Sequence, residues 1–159
     1  MVDGELAQAV RLARQRPEVL SAVGQLYREM DARTARRQPV CRRSGRCCRF
    51  DEFGHRLYVT TMELAAFVAS LAGLELPAGV GGGSTRGACP FQAGGLCCVH
   101  AIRPFGCRVY FCDPSAMEWQ EDQYETLHGR LRQLHDELGV AYFYVEWRAA
   151  LENIGPIAR

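Results

Sequence analysis

Eight cysteines carry most of the chemistry open to this sequence, and they fall into two groups. Cys41, Cys47 and Cys48 form the first; Cys89, Cys97, Cys98, Cys107 and Cys112 form the second. Thiolate is a soft ligand for zinc and for iron–sulfur centres, and such sites gather sulfur from separate loops. The upstream group offers three sulfurs, two of them adjacent and strained as joint ligands of one ion. Both groups are therefore expected to close on a single metal centre, with the rest of the chain as the scaffold that joins them.

Disulfides are the competing use. The N-terminus, MVDGELAQAV, has early acidic residues and no basic-then-apolar run, and no stretch approaches the roughly 18 apolar residues that span a bilayer. A cytoplasmic, reducing location is expected, where clustered cysteines point to metal or redox chemistry. The adjacent pairs Cys47-Cys48 and Cys97-Cys98 argue the same way, because neighbouring cysteines rarely meet disulfide geometry with each other.

The downstream spacing is Cys89-x7-Cys97-Cys98-x8-Cys107-x4-Cys112. With no C-x2-C pair it is not a zinc ribbon. Gly94-Gly95 allows a tight bend, Pro90 and Pro104 stiffen the approaches, and Arg103 and Arg108 flank Cys107, where they could donate to its sulfur. Upstream, Arg33, Arg36, Arg37, Arg42, Arg43, Arg46 and Arg49 crowd the first group, and all nineteen basic residues of the chain are arginine. These guanidinium groups suit two uses, contact with nucleic acid or compensation of a multi-thiolate centre. Compensation is favoured, since no aromatic interleaving or recognition helix accompanies the arginines. A formal net charge of +1 provides no global field for nucleic acid or an anionic membrane.

The run Cys41-x-x-Ser44-x-x-Cys47-Cys48, followed by Cys89-Pro90-Phe91, Cys97 and Arg103-Pro104-x-x-Cys107-Arg108, resembles the YkgJ-type cysteine-cluster family. That family is described as a zinc- or iron-chelating domain with the signature C-x-x-C-x-x-C-C. The resemblance covers residues 41–112 and implies a metal ligand set of Cys41, Cys47, Cys48, Cys89, Cys97 and Cys107. Flagellin lysine methylases contain a similar cysteine domain associated with an iron–sulfur cluster, which keeps that form of iron open beside zinc. Ser44 stands at the second cysteine position of the signature, so Cys98 or Cys112 could replace the missing sulfur. His100 stands where tyrosine is usual, and a supporting role is favoured over direct ligation.

The scaffold is expected to be mainly α, a small metal-stabilised single domain over 1–159 with irregular cysteine-rich metal-binding loops and one or two short strands. Leu6, Val10 and Ala13 mark a helix over 4–16; Leu20, Val23, Tyr27 and Met30 mark another after Pro17, giving an N-terminal helical hairpin within 1–35. The metal-binding core spans 41–112. Within it, residues 56–59 suit a strand, and Thr60 with Glu63 forms a capping box that opens a helix containing Leu64, Phe67, Val68 and Leu71, ended by Gly73. The run 79–87, GVGGGSTRG, lacks the ending of a phosphate-binding loop and reads as a linker. Over 113–159, Ser115 and Glu118 suggest a second capping box. Tyr124, Leu127, Leu131, Leu134 and Leu138 then mark a long helix ended by Gly139. An aromatic extended segment over 141–147 and a last short helix follow.

Metal binding is the function these residues support best. An iron–sulfur-dependent redox or group-transfer enzyme, methylase-like, is the alternative, and an arginine-rich zinc module that binds nucleic acid is a second. Catalysis stays open, because paired carboxylates, a nucleophile elbow and a dinucleotide fingerprint are all missing.

Overall fold

The computed structural model describes residues 2–82 and 87–156. It is mainly helical, with two antiparallel sheets of two strands each. The elements are α1 (Val2–Ala13), α2 (Pro17–Arg37), α3 (Phe50–Phe53), β1 (Tyr58–Thr60), α4 (Thr61–Leu71), β2 (Gln92–Ala93), β3 (Leu96–Cys97), α5 (Phe105–Val109), α6 (Met117–Leu138), β4 (Tyr144–Glu146) and α7 (Trp147–Ile154). Residues 83–86 of the glycine-rich linker lie outside the described residues.

Helix α4 is the hub. It is apolar around most of its circumference, the pattern of a helix buried on several sides. Leu64, Phe67 and Leu71 join Leu6 and Val10 of α1 and Trp147 and Ala150 of α7 in one core. Met62 and Ala65 join Val19, Val23, Leu26 and Met30 of α2 and Leu127 and Leu131 of α6 in another. The two arms of the expected hairpin thus divide between the cores: α1 packs on α4 and α7, with its last residue, Ala13, joining the second core, while α2 packs on α4, α5 and α6. Along α2 the buried stripe is Val19, Val23, Leu26 and Met30, which leaves Tyr27 at its edge. The first core also contains Cys48, Cys89, Phe91 and Val99, so the cysteine loops are part of the hydrophobic interior.

Helix boundaries follow local chemistry. Pro17 occupies the first turn of α2, the Thr60–Glu63 capping box is formed, and Gly139 ends α6 in the left-handed conformation. Two expected signals are not used. Gly73 does not cap α4, whose C-cap is Ala72 in the right-handed conformation. Ser115 and Glu118 form no capping box, because Asp113 takes the role one turn earlier. Its Oδ1 accepts from the Ser115 N–H at 3.0 Å and opens a short 3-10 turn over Pro114–Ala116, and α6 begins only at Met117.

Strand β4 pairs with β1 in the register Tyr58↔Glu146, Val59↔Val145 and Thr60↔Tyr144, which draws the end of the chain against its middle. His135 of α6 is buried and satisfied: Nδ1 lies 2.9 Å from the Leu131 carbonyl, and Nε2 accepts from the Met62 N–H at 3.3 Å. Among the described residues, no helix is long and apolar enough to cross a membrane.

Candidate metal centre

Three stretches of chain bring sulfur to one place. Cys47 and Cys48 sit on a 3-10 turn, Arg46–Cys48, that leads into α3. Ser44 shapes its entry, since its hydroxyl accepts from the Arg46 N–H at 3.3 Å. Ser44 is thus a turn-forming residue here. The Cys89 N–H donates to the Cys48 carbonyl at 2.8 Å, and the Asp51 N–H to that of Gly87 at 2.9 Å, so the two loops are tied backbone to backbone. Cys97 lies on β3, paired across the hairpin with Gln92 of β2. Cys107 lies on α5, whose first turn closes with its N–H on the Pro104 carbonyl.

The hairpin docks on the upstream loop through Gly45. Gln92 Nε2 donates to the Gly45 carbonyl at 2.9 Å. Gly45 has φ +72, and a Cβ there would lie 2.2 Å from the Gly95 carbonyl oxygen. Only glycine fits this approach. Gly94 is also left-handed, at φ +57, yet a Cβ there would meet nothing within 4 Å. Gly45→Ala should therefore cost roughly 2–4 kcal/mol, backbone strain plus overlap, against about 1 kcal/mol for Gly94→Ala. Equal denaturation midpoints for the two variants would show that the loop docks elsewhere.

At the meeting point Cys48 is central. It lies close enough to Cys47, Cys89 and Cys97 for their thiols to influence one another. Neighbouring sulfurs accept its S–H and would repel a further thiolate, so Cys48 holds its proton strongly; Cys47 is the largest cause, then Cys89 and Cys97. The same contact with Cys48 is the largest influence on its three neighbours and lowers the pKa of Cys47, Cys89 and Cys97. Cys107 is close enough to feel Cys89, Cys97 and Cys47 as like charges, and its pKa is pushed up chiefly by burial. Cys48 and Cys89 are buried, Cys97 and Cys107 are half-buried, and Cys47 is exposed at the rim.

Five of the six expected ligands thus come together, the upstream pair with three from downstream. Cys41 does not join these contacts and is exposed on the segment before the turn; Cys112 is exposed beyond α5, and Cys98 is half-buried on the hairpin. Among the described residues, no group of three His, Cys, Asp or Glu side chains is arranged as it stands to hold a metal ion. The donor set fits zinc or iron by chemistry, as soft sulfurs converging from separate segments, while its thiols contact one another.

The partners around the sulfurs were only partly foreseeable. Trp147 Nε1 donates to Cys89 Sγ at 3.3 Å from a fully buried position. A buried indole N–H needs an acceptor, and that was the available signal; the distance in sequence hid its identity. Arg103 donates from Nη1 to the His100 carbonyl at 2.7 Å, and the same nitrogen lies 3.0 Å from His100 Nδ1. Its charge lowers the pKa of Cys47 and Cys97 as a lesser cause. His100 accordingly bears on the centre through Arg103. Arg108 departs from expectation. Its side chain turns away from the sulfurs to Asp31 Oδ2 at 2.8 Å and to the carbonyls of Ala101 and Arg103, over the Tyr27 ring. It ties α5 to α2 because a buried guanidinium needs several acceptors, which that corner supplies. The upstream arginines also engage other groups: Arg33 binds Glu29 and Gln123, Arg37 binds the Ser115 carbonyl, and Arg46 and Arg49 stack over Phe53.

Comparison with family models, with curated proteins and with solved structures gave no match for the chain.

Proposed function

We propose that this chain is a metal-binding protein whose thiolates hold zinc or iron, the iron alone or as an iron–sulfur cluster, in one centre shared by its two cysteine groups. The observation that carries the reading is the convergence of Cys47, Cys89 and Cys97 on Cys48, with Cys107 beside them. Structural zinc takes four sulfurs, and clusters take a similar number, so this set is sufficient without Cys41, Cys98 or Cys112. The Trp147 N–H at Cys89 is the kind of outer partner that orients a ligand and moderates its charge. Membership of the YkgJ-type cysteine-cluster family is part of the same proposal and rests on the motif residues.

The test is metal analysis and a visible spectrum on protein purified without air. Stoichiometric zinc in a colourless protein, or iron with broad absorbance near about 400 nm from sulfur-to-iron charge transfer, is the expected result. Protein that keeps its fold yet takes up neither metal, even after anaerobic reconstitution, would rule the reading out.

A further inference from the structure

Against the Arg46–Cys48 turn lies a cleft of about 520 Å3, lined chiefly by Arg42, Arg46, Arg49, Phe53, Cys112 and Asp113. Its charge balance is uneven. Arg49 is paired with Glu52 at 3.1 Å, and its Nε is buried with no hydrogen-bond partner. Among the described residues, Arg42 and Arg46 have no ion-pair partner. The lining carboxylate, Asp113, is engaged by the Val40 N–H at 3.0 Å and by the Ser115 N–H and hydroxyl at 3.0 and 2.7 Å. Arg37, bound to the Ser115 carbonyl, supplies the positive charge that offsets Asp113. Two guanidinium groups therefore remain uncompensated around one concavity.

The cleft is also partly preorganised. The Phe53 ring carries Arg46 at 4.4 Å and Arg49 at 4.8 Å from its centroid, so those side chains lose less freedom when an anion arrives. The planar fork of arginine matches the oxygens of a phosphate group. A dianion balances both free charges, whereas a single carboxylate would leave one unmet. The volume falls within the usual range of small-molecule sites and exceeds what a bare ion fills.

We propose that this cleft binds a phosphate-bearing small molecule, a phosphomonoester or diphosphate, next to the Arg46–Cys48 turn. The inference goes beyond the metal reading and does not depend on which metal is held. Its test is isothermal titration of the full-length protein, as purified with its metal, using inorganic pyrophosphate at low ionic strength. One-to-one binding is expected, weakened at least tenfold by the double variant Arg42→Gln/Arg46→Gln and unchanged by Arg36→Gln, which lies outside the cleft. If the double variant fails to fold, Arg42→Gln alone, at an exposed loop position, should still weaken binding at least threefold. No saturable binding of pyrophosphate would overturn the proposal, as would equal affinity in the arginine variants. So would a ten-residue single-stranded oligonucleotide that binds tenfold tighter than pyrophosphate, since that would make the surface a polymer track.

Discussion

Cys48→Ser should remove most of the bound metal, and Cys112→Ser should leave metal content within error of the parent protein. Cys48 lies close to three other cysteines, and its backbone carbonyl holds the Cys89 N–H, so it stands where the upstream turn meets the downstream cysteine segments. Serine is close in size and can still donate a hydrogen bond, which keeps the turn intact while replacing a soft ligand with a hard, protonated one. Structural zinc sites release on the order of 10–16 kcal/mol on binding, so losing one of four thiolates should cost about 3 kcal/mol, more than a hundredfold in affinity. Cys97→Ser should behave like Cys48→Ser, because Cys97 is one of the sulfurs beside Cys48. Cys41→Ser should resemble Cys112→Ser, since both residues are exposed and outside the sulfur contacts. Metal retained in Cys48→Ser but lost in Cys41→Ser or Cys112→Ser would place the centre at the rim and refute the shared interior site. Metal content by elemental analysis, alongside circular dichroism to confirm the helices, decides the matter.

What the sequence revealed, it revealed through short-range pattern. Leu6, Val10 and Ala13 are buried at the expected spacing, and the Thr60–Glu63 box and Gly139 cap depend only on residues within one turn. Local competition defeated the Ser115–Glu118 signal, because Asp113 Oδ1 takes both the N–H and the hydroxyl of Ser115. The cysteines suggested a centre by type and number, but which of them lie together depends on distant pairing. Cys89 is fixed by the Cys48 carbonyl, and Cys97 by its register against Gln92. Nothing near Cys41 says that it lies outside. Arg108 shows the same limit: adjacency to Cys107 suggested a sulfur donor, whereas helix geometry aims its side chain at Asp31 of α2. The Trp147 donor to Cys89 required knowing that β4 pairs with β1, which carries α7 to the cluster.

Raising pH from 5 to 8 should weaken the fold through Glu63, and Glu63→Gln should abolish that part of the dependence. Glu63 is a fully buried carboxyl at the start of α4, and it joins two elements. Oε2 accepts from the Thr60 N–H at 2.7 Å to complete the capping box, and Oε1 accepts from the Phe105 N–H at 2.9 Å. Through Phe105 it fixes the first turn of α5, which carries Cys107 two residues later. Burial opposes ionisation and the two N–H donors favour it; burial prevails, and the Glu63 pKa rises to about 7. The folded form therefore holds this proton more tightly than the unfolded chain. Its stabilising contribution is complete below the ordinary carboxylate pKa and is lost as pH climbs through about 7. The loss is of order 3 kcal/mol, or roughly 6–12 °C in melting temperature for a domain of this size. Other groups titrate in the same range, including the cysteines if they bind metal, so the informative quantity is parent minus Glu63→Gln at each pH. Glutamine cannot ionise and places an amide donor against one of the two N–H groups, so the variant should be less stable than the parent at pH 5. That gap should shrink steadily towards pH 8. A difference that stays flat across the window would mean that Glu63 keeps one protonation state throughout, and that the two backbone hydrogen bonds outweigh its burial.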